Sequence, residues 1–318
     1  MTRAYAPVRT YVKPGMDEIA QIVVLLAPKL GEPEGAPTPL AGGITNRNFR
    51  ARLGGRDYVI RVPGKDTSVL GIDRTAERIA NQRAAESGVA PPVAAMLEDP
   101  PCLVTEFIEA REMTSEQLRE PEHLSEVALA LRTFHESGEV LPTTFDSFRV
   151  VEDYARKAVE RGAELPAAYE EQHAQAAEIE AALSGPEHQP VPCHNDLLAA
   201  NFLHDGTRVR LVDWEYAGMG DRYFDLGNFA VNNEFDEALE AKLLEAYFSE
   251  PAPPRRRATL RVMRFMSDFR EAMWGVVQGT VSDLDFDFAE YADKHFERLR
   301  ETAADPRFAD WLRDARGG

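Results

Sequence analysis

Cys193-His194-Asn195-Asp196-Leu197-Leu198-Ala199-Ala200-Asn201 is the stretch on which this chain turns. Asp196 is followed by Asn201, and the apolar run Val209-Arg210-Leu211-Val212 then ends in a second acid, Asp213. Asn and Asp favour turns and helix caps because they bond their own backbone, so a turn is the plainer interpretation. The chemical interpretation is fuller. A hydroxyl attacking phosphorus must lose its proton, and a carboxylate within hydrogen-bond reach accepts it; Asp196 is the candidate base. The Asn201 amide oxygen and the Asp213 carboxylate are hard oxygen ligands of the kind Mg²⁺ prefers. His194 just before Asp196, the strand leading to Asp213 and a glycine-containing hairpin upstream favour the chemical interpretation: phosphoryl transfer from ATP to a hydroxyl group. A zinc site using His194 and His204 is a weaker alternative, because no second close ligand pair accompanies them.

The chain has 318 residues, room for two ordinary domains or one bilobal unit. Its formal net charge of -18 argues against a nucleic-acid partner and is compatible with a cationic substrate. Two cysteines, Cys102 and Cys193, make neither a disulfide framework nor a metal motif, so a cytoplasmic location is expected. The apolar run Ile22–Ala27 is far shorter than the ~20 residues of a membrane span and lacks the flanks of a signal peptide, so no membrane association is expected. It is read as the core face of a helix over Met16–Leu30. Oligomeric state is not encoded in any motif.

After a Pro/Gly-rich connector at Pro33–Pro39, residues 40–63 alternate in hairpin fashion around Gly54-Gly55. Asp73 is placed to cap a helix running to about Ser87, with Gly88 as its stop. Cys102–Ile108 reads as a buried strand. The remainder is mostly helical: Leu124–Glu136, one or two helices over Val150–Leu183 broken near Pro166, then Asp236–Phe248, Pro254–Gln278 and Phe286–Arg300. Two short strands flank the turn Asp205-Gly206.

His194-Asn195-Asp196 with Asn201, followed by Val212-Asp213-Trp214-Glu215-Tyr216, resembles the aminoglycoside phosphotransferase/choline kinase family. Gly42-Gly43-Ile44-Thr45-Asn46, Trp274–Gln278 and Phe288–Ala292 are similar to the choline/ethanolamine kinase branch, and the resemblance covers about residues 38–300. It implies an α+β, bilobal protein-kinase-like fold. A β-rich N-terminal lobe at 1–104 would bind nucleotide, and a mostly helical C-terminal lobe at 105–318 would carry catalysis and the acceptor. It implies ATP and Mg²⁺ as cofactors and an alcohol such as choline or a related amino alcohol as acceptor. Aminoglycosides, amino sugars and other small metabolites are the alternatives; a catalytically silent kinase-like binding module is the alternative of another class. A protein kinase is disfavoured by the missing Gly-x-Gly-x-x-Gly, Asp-Phe-Gly and Ala-Pro-Glu segments.

No Walker loop is present. Gly42-Gly43 can bring backbone amides to phosphates, with Thr45 and Asn46 adding donors. Gly218-Met219-Gly220 is a false lead, since it follows the acidic cluster and Tyr223 takes the third glycine position. The resemblance gives Arg61 the phosphate-binding role, with Glu77 (or Glu86, nearer the helix end) as its carboxylate partner. It gives adenine the backbone groups of Glu106 and Ile108.

A small cationic hydroxylated substrate calls for aromatic faces and carboxylates beside Asp196. Candidates are Tyr216, Trp274, Phe269 and Phe235, with Glu215, Asp268 and Glu271. Leu260, Met263, Met266, Phe269, Met273 and Val277 fall at helical spacing, so Phe269 reads as core. Asp268 and Glu271 also fit a solvated face. Choline kinases typically carry a second Trp three positions before the one matched by Trp274; this chain has Glu271, which admits a primary amine or amino sugar.

Overall fold

The computed structural model describes residues 16–40, 46–64, 67–282 and 284–316. Gly43 and Thr45, with Gly42 and Ile44, lie outside the described residues. Two compact units emerge, Met1–Thr67 with Pro91–Glu109 and Ser282–Phe286, and Ser68–Ala90 with Ala110–Val281 and Asp287–Gly318.

The first unit is a five-stranded antiparallel sheet: β1 (Thr38–Leu40), β2 (Asn46–Leu53), β3 (Arg56–Pro63), β4 (Val93–Glu98) and β5 (Pro101–Glu106), in the order β1-β2-β3-β5-β4. Alternation along β2 and β3 sends Phe49, Ala51, Leu53, Tyr58, Ile60 and Val62 to one core. Helix α1 (Met16–Leu30) adds Ile19, Ile22, Val23 and Leu26 to it. The hairpin turns on Gly54 and Gly55 at φ +55° and +80°, the left-handed pair a two-residue loop demands. A Cβ on Gly54 would also meet the Leu30 carbonyl oxygen at 2.5 Å, so only glycine lets α1 end there. The strand expected over Cys102–Ile108 stops at Glu106.

The second unit begins with α2 (Arg74–Glu86), capped by Asp73, whose carboxylate accepts from the Thr75 and Ala76 N–H groups. Its neighbours stitch it in. Tyr154 donates to the Leu70 carbonyl, Leu211 N–H to Val89, and Arg210 to Gly88. There follow β6 (Arg111–Glu112), α3 (Ser115–Leu118), α4 (Pro121–His135), α5 (Ser147–Glu160) and α6 (Tyr169–Ala182). Then come β7 (Val191–Cys193), β8 (Phe202–His204), β9 (Val209–Leu211) and β10 (Gly218–Gly220). Helices α7 (Arg222–Asn232), α8 (Glu237–Phe248), α9 (Pro254–Val281), α10 (Phe288–Ala304) and α11 (Phe308–Ala315) complete it.

Helix α9 is the axis of this unit, packed against α5, α7, α10 and α11. The apolar stripe predicted for it is buried, Phe269 included. The solvated face is not observed: Asp268 and Glu271 are buried as well, because α10 covers that side. The crossing with α7 is close enough that a Cβ on Gly227 would stand 2.9 Å from the Met263 carbonyl carbon. The small sheets β6-β8-β9 and β7-β10 carry the loops of the site.

Candidate active site

Strand β7 leads straight into His194, Asn195 and Asp196, and the loop after it is held from below by α7. Asp225 is fully buried; one carboxylate oxygen accepts from the His194 N–H (2.8 Å) and the other from the Asn195 N–H (2.7 Å). His135 Nε2 donates to Asp225 at 3.0 Å, and Tyr247 OH donates to His135 Nδ1 at 2.7 Å. Burial pushes the Asp225 pKa up, but the His135 bond, the neighbouring histidines and the His194 amide outweigh it and keep the carboxyl below its ordinary range. One turn further, the Asn228 side-chain oxygen accepts from Leu197 N–H at 2.5 Å, and its amide donates to Ser267 of α9 at 2.8 Å. Asn195 adopts φ 67°, a left-handed backbone, and its side chain donates to the Tyr216 carbonyl at 3.0 Å. A non-glycine residue in that region is uncommon; here the clamp on both sides holds it.

His194 is spent on the same loop. Its Nδ1 accepts from the Asp196 N–H (3.2 Å) and its Nε2 donates to the Val212 carbonyl (2.9 Å). The zinc alternative therefore fails: both ring nitrogens are engaged, and His204 faces Glu126 at 3.6 Å. The cluster His135, Cys193 and Asp225 is, among the described residues, the group whose donor atoms approach one another closely enough for a metal. It does not suit one, because its imidazole nitrogens and carboxylate oxygens already bond the chain and burial holds the Cys193 thiol protonated.

Asp196, Asn201 and Asp213 are brought together. The Asn201 amide donates to the Asp196 carbonyl (2.8 Å) and to its carboxylate (3.2 Å). Antiparallel pairing of β8 with β9, extended by Val212 N–H to the Asn201 carbonyl at 3.0 Å, sets Asp213 beside Asn201. Asp213 leaves the strand at φ 67°. With the Asn201 amide nitrogen turned to Asp196, its oxygen is the end left to meet a cation. That oxygen and the Asp213 carboxylate form the hard donor set a divalent metal takes, so the residues fit one. Burial raises the Asp196 carboxyl well above its usual range; Arg270 opposes the shift, and Glu271, Asp213 and Glu215 add to it.

Five further sequence candidates sit in the same unit. Glu215 and Glu77 share Arg74, whose Nη1 lies 2.6 Å from Glu77 and 3.5 Å from Glu215. The Trp274 indole donates to the Tyr216 hydroxyl at 2.9 Å. Glu271 is gripped by Arg270 on one oxygen and by Tyr291 OH (2.7 Å) on the other. Arg270, which no sequence motif singled out, stands 3.5 Å from Asp196 Oδ1 with its guanidinium 4.4 Å above the Tyr216 ring. Phe235 and Phe269 are core.

The nucleotide-side candidates Asn46, Arg61, Glu106 and Ile108 belong to the sheet unit. Arg61 lies on β3 opposite Asn48 and Leu103. Glu106 closes β5, its N–H donating to Pro92, and Phe107 N–H donates to Asp57. Glu86 is exposed and paired with Arg83 at 2.8 Å.

A helical unit holding an aspartate, an asparagine and a second aspartate around one loop, with an antiparallel five-stranded sheet, defines a kinase-like phosphotransferase. Comparison with known proteins agrees. The family described as "Phosphotransferase enzyme family" matches residues 37–260, and this chain belongs to it. Ethanolamine kinase 2 of Rattus norvegicus is 31% identical over 287 residues, covering 80% of this chain and 73% of its own length. A solved choline/ethanolamine kinase family protein from Mesorhizobium loti superposes with a TM-score of 0.80 at 32% identity, over 95% of this chain and 100% of that one. The choline kinase LicA of Streptococcus pneumoniae, 23% identical, shares the fold with a TM-score of 0.76 over 91% of this chain and 99% of its own. The chain is thus an enzyme, a small-molecule phosphotransferase with an alcohol group as acceptor, and the family's use of ATP with a divalent metal extends to it. No helix among the described residues is long and apolar enough to cross a membrane.

Proposed function

We propose that the chain transfers the γ-phosphoryl group of ATP to the hydroxyl of choline or a closely related amino alcohol such as ethanolamine. The observation that carries this is the bonding of Asn201 to both the backbone and the carboxylate of Asp196, with Asp213 held alongside by the β8–β9 ladder. Asp196 takes the proton of the acceptor hydroxyl as its oxygen bonds the γ-phosphorus and the bridge to the β-phosphate breaks, releasing ADP. A base this deeply buried is more basic than a surface aspartate, which suits it to a hydroxyl. Asn201 and Asp213 would hold Mg²⁺, which neutralises phosphate charge when bound.

Nucleotide binding is assigned to the N-terminal lobe, 1–104, and to the segment that follows it. Gly43, Thr45, Asn46 and Arg61 take the phosphates, Arg61 through its bidentate fork, with Glu77 as the acidic partner. The backbone of Glu106 and Ile108 takes adenine. Catalysis and acceptor binding fall to 105–318, with Glu215, Tyr216, Glu271 and Trp274 at the acceptor. The similarity to an ethanolamine kinase and to a choline/ethanolamine kinase family protein supports an amino alcohol over a larger aminoglycoside. The acidic net charge and a location in the cytoplasm agree with a small cationic metabolite as substrate.

The test is coupled ADP release with choline, ethanolamine, amino sugars, aminoglycosides and small sugars. Turnover confined to the amino alcohols, depending on Mg²⁺ and lost in Asp196→Asn, is expected. Turnover of sugars alone, or undiminished rates in that variant, would discard the proposal.

A further inference from the structure

A protein that holds a quaternary ammonium offers it aromatic faces and a carboxylate in a recess closed to water. The helical unit contains such a recess next to Asp196, and the chain fills it with a cation of its own. The Arg270 guanidinium lies 4.4 Å over the Tyr216 ring. Tyr216 is bonded to the Trp274 indole, and the Trp274 and Tyr291 rings stand 5.5 Å apart, centre to centre. The counter-charge is Glu271, held by Arg270 itself and by the Tyr291 hydroxyl. Arg270 is 1% exposed and 3.5 Å from Asp196 Oδ1.

Two details separate this from an ordinary core arginine. The Nε and Nη2 hydrogens of Arg270 have no hydrogen-bond partner among the described residues. An arginine retained for structure satisfies most of its five donors; this one donates to Glu271 and is otherwise held by ring face and charge, the two attractions an ammonium would use. The second detail is that the acids on this side are taken. Glu271 belongs to Arg270, and Glu215 lies 3.5 Å from Arg74.

We propose that Arg270 is a specificity-determining residue that occupies the cation recess beside Asp196, excluding alcohols that carry a quaternary ammonium and leaving those with a primary amine. The proposal rests on the amino-alcohol function put forward above and narrows it. A trimethylammonium group has no N–H to donate and depends on aromatic faces, and the face it needs is covered by guanidinium of the same charge. A primary ammonium is smaller and is recognised through its three N–H donors, which need only oxygen acceptors.

The experiment uses the full chain and two probes. Tetramethylammonium has no hydroxyl, so its binding, read by calorimetry at millimolar concentration, does not depend on which acceptor is phosphorylated. Wild type should not bind it, whereas Arg270→Met, which uncovers Tyr216 and leaves Glu271 for the ammonium, should. Arg270→Gln, which keeps a hydrogen bond to Glu271, gives the same reading if the Met variant does not fold. Steady-state ADP release should show wild type preferring ethanolamine over choline by at least 100-fold in kcat/KM, and the variants should narrow that ratio at least tenfold. Tetramethylammonium binding by wild type, or folded variants that neither bind it nor change the ratio, overturns the proposal. Binding as expected, with no turnover of either amino alcohol, upholds the filled recess and discards the amino-alcohol function instead.

Discussion

The two units bury different things. In the sheet unit the core is apolar, built from α1 and alternate residues of β2, β3 and β5, and Asn46 is its single buried polar side chain among the described residues. The helical unit buries Asp225, His135, Asp268, His295, Arg270 and Glu271, all of them paired. Burying charge costs stability unless every partner is present, so such pairs are weak evidence for stability and better evidence for positioning. The sheet unit is held by transfer of apolar surface. The helical unit accepts a less favourable interior to fix a loop and a carboxylate.

That contrast can be broken most severely at Asp196. Asp196→Asn keeps the volume and removes the base, and kcat should fall by about 10²–10⁴ with melting nearly unchanged; ADP release and calorimetry together check this. Next is Asp225→Asn, which weakens the clamp on His194 and Asn195 and leaves His135 without its anion. It should destabilise the fold by about 3–5 kcal/mol in urea titration and lower kcat as well. The pH dependence follows from the depressed pKa of Asp225. Its contribution is complete above the ordinary carboxylate range and is lost as pH falls through the folded-state value. Wild type should therefore lose stability on acidification more steeply than the Asn variant.

Gly227→Ala tests the α7–α9 crossing that carries Asp225 and Asn228. Its Cβ meets backbone, not a flexible side chain, so a loss of about 1–3 kcal/mol and a displaced loop, seen as reduced kcat, are expected. In the sheet unit, Ile60→Val should cost about 0.5–1.5 kcal/mol with no change in kcat. A change in kcat there would blur the division between the units. The smallest effect is at the cysteines. Burial pushes the Cys102 thiol up to about 11 and raises the Cys193 thiol well above its ordinary value, so neither should react with a disulfide reagent at pH 7.5 until the chain unfolds.

The sheet unit was largely legible before the structure. Alternation and the Gly54-Gly55 pair located the hairpin, and apolar spacing gave α1 its bounds. Strand β4 was missed because Val93-Ala94-Ala95-Met96-Leu97 has no alternation of its own and, among the described residues, pairs with β5 alone. In the helical unit Asp73 announced α2, and Pro166 separated α5 from α6. Helix α7 escaped notice because it is buried nearly all round, so no apolar stripe with a polar opposite face marks it. The same burial hid Asp225 and Arg270. Glu271 and Asp268 were read as an open choice between pocket and solvent, and only the packing of α10 resolved that choice in favour of burial.

By itself the order of residues determined the class of chemistry. Asp196, Asn201 and Asp213 lie close enough in the chain that a loop and one hairpin unite them, and local spacing carries that information. Tertiary structure alone decided what surrounds them. Asp225 reaches the loop from some thirty residues away, and Arg270 reaches Asp196 from more than seventy. Their effect depends on which helices pack together and on the low dielectric that packing creates, and neither is written in local spacing.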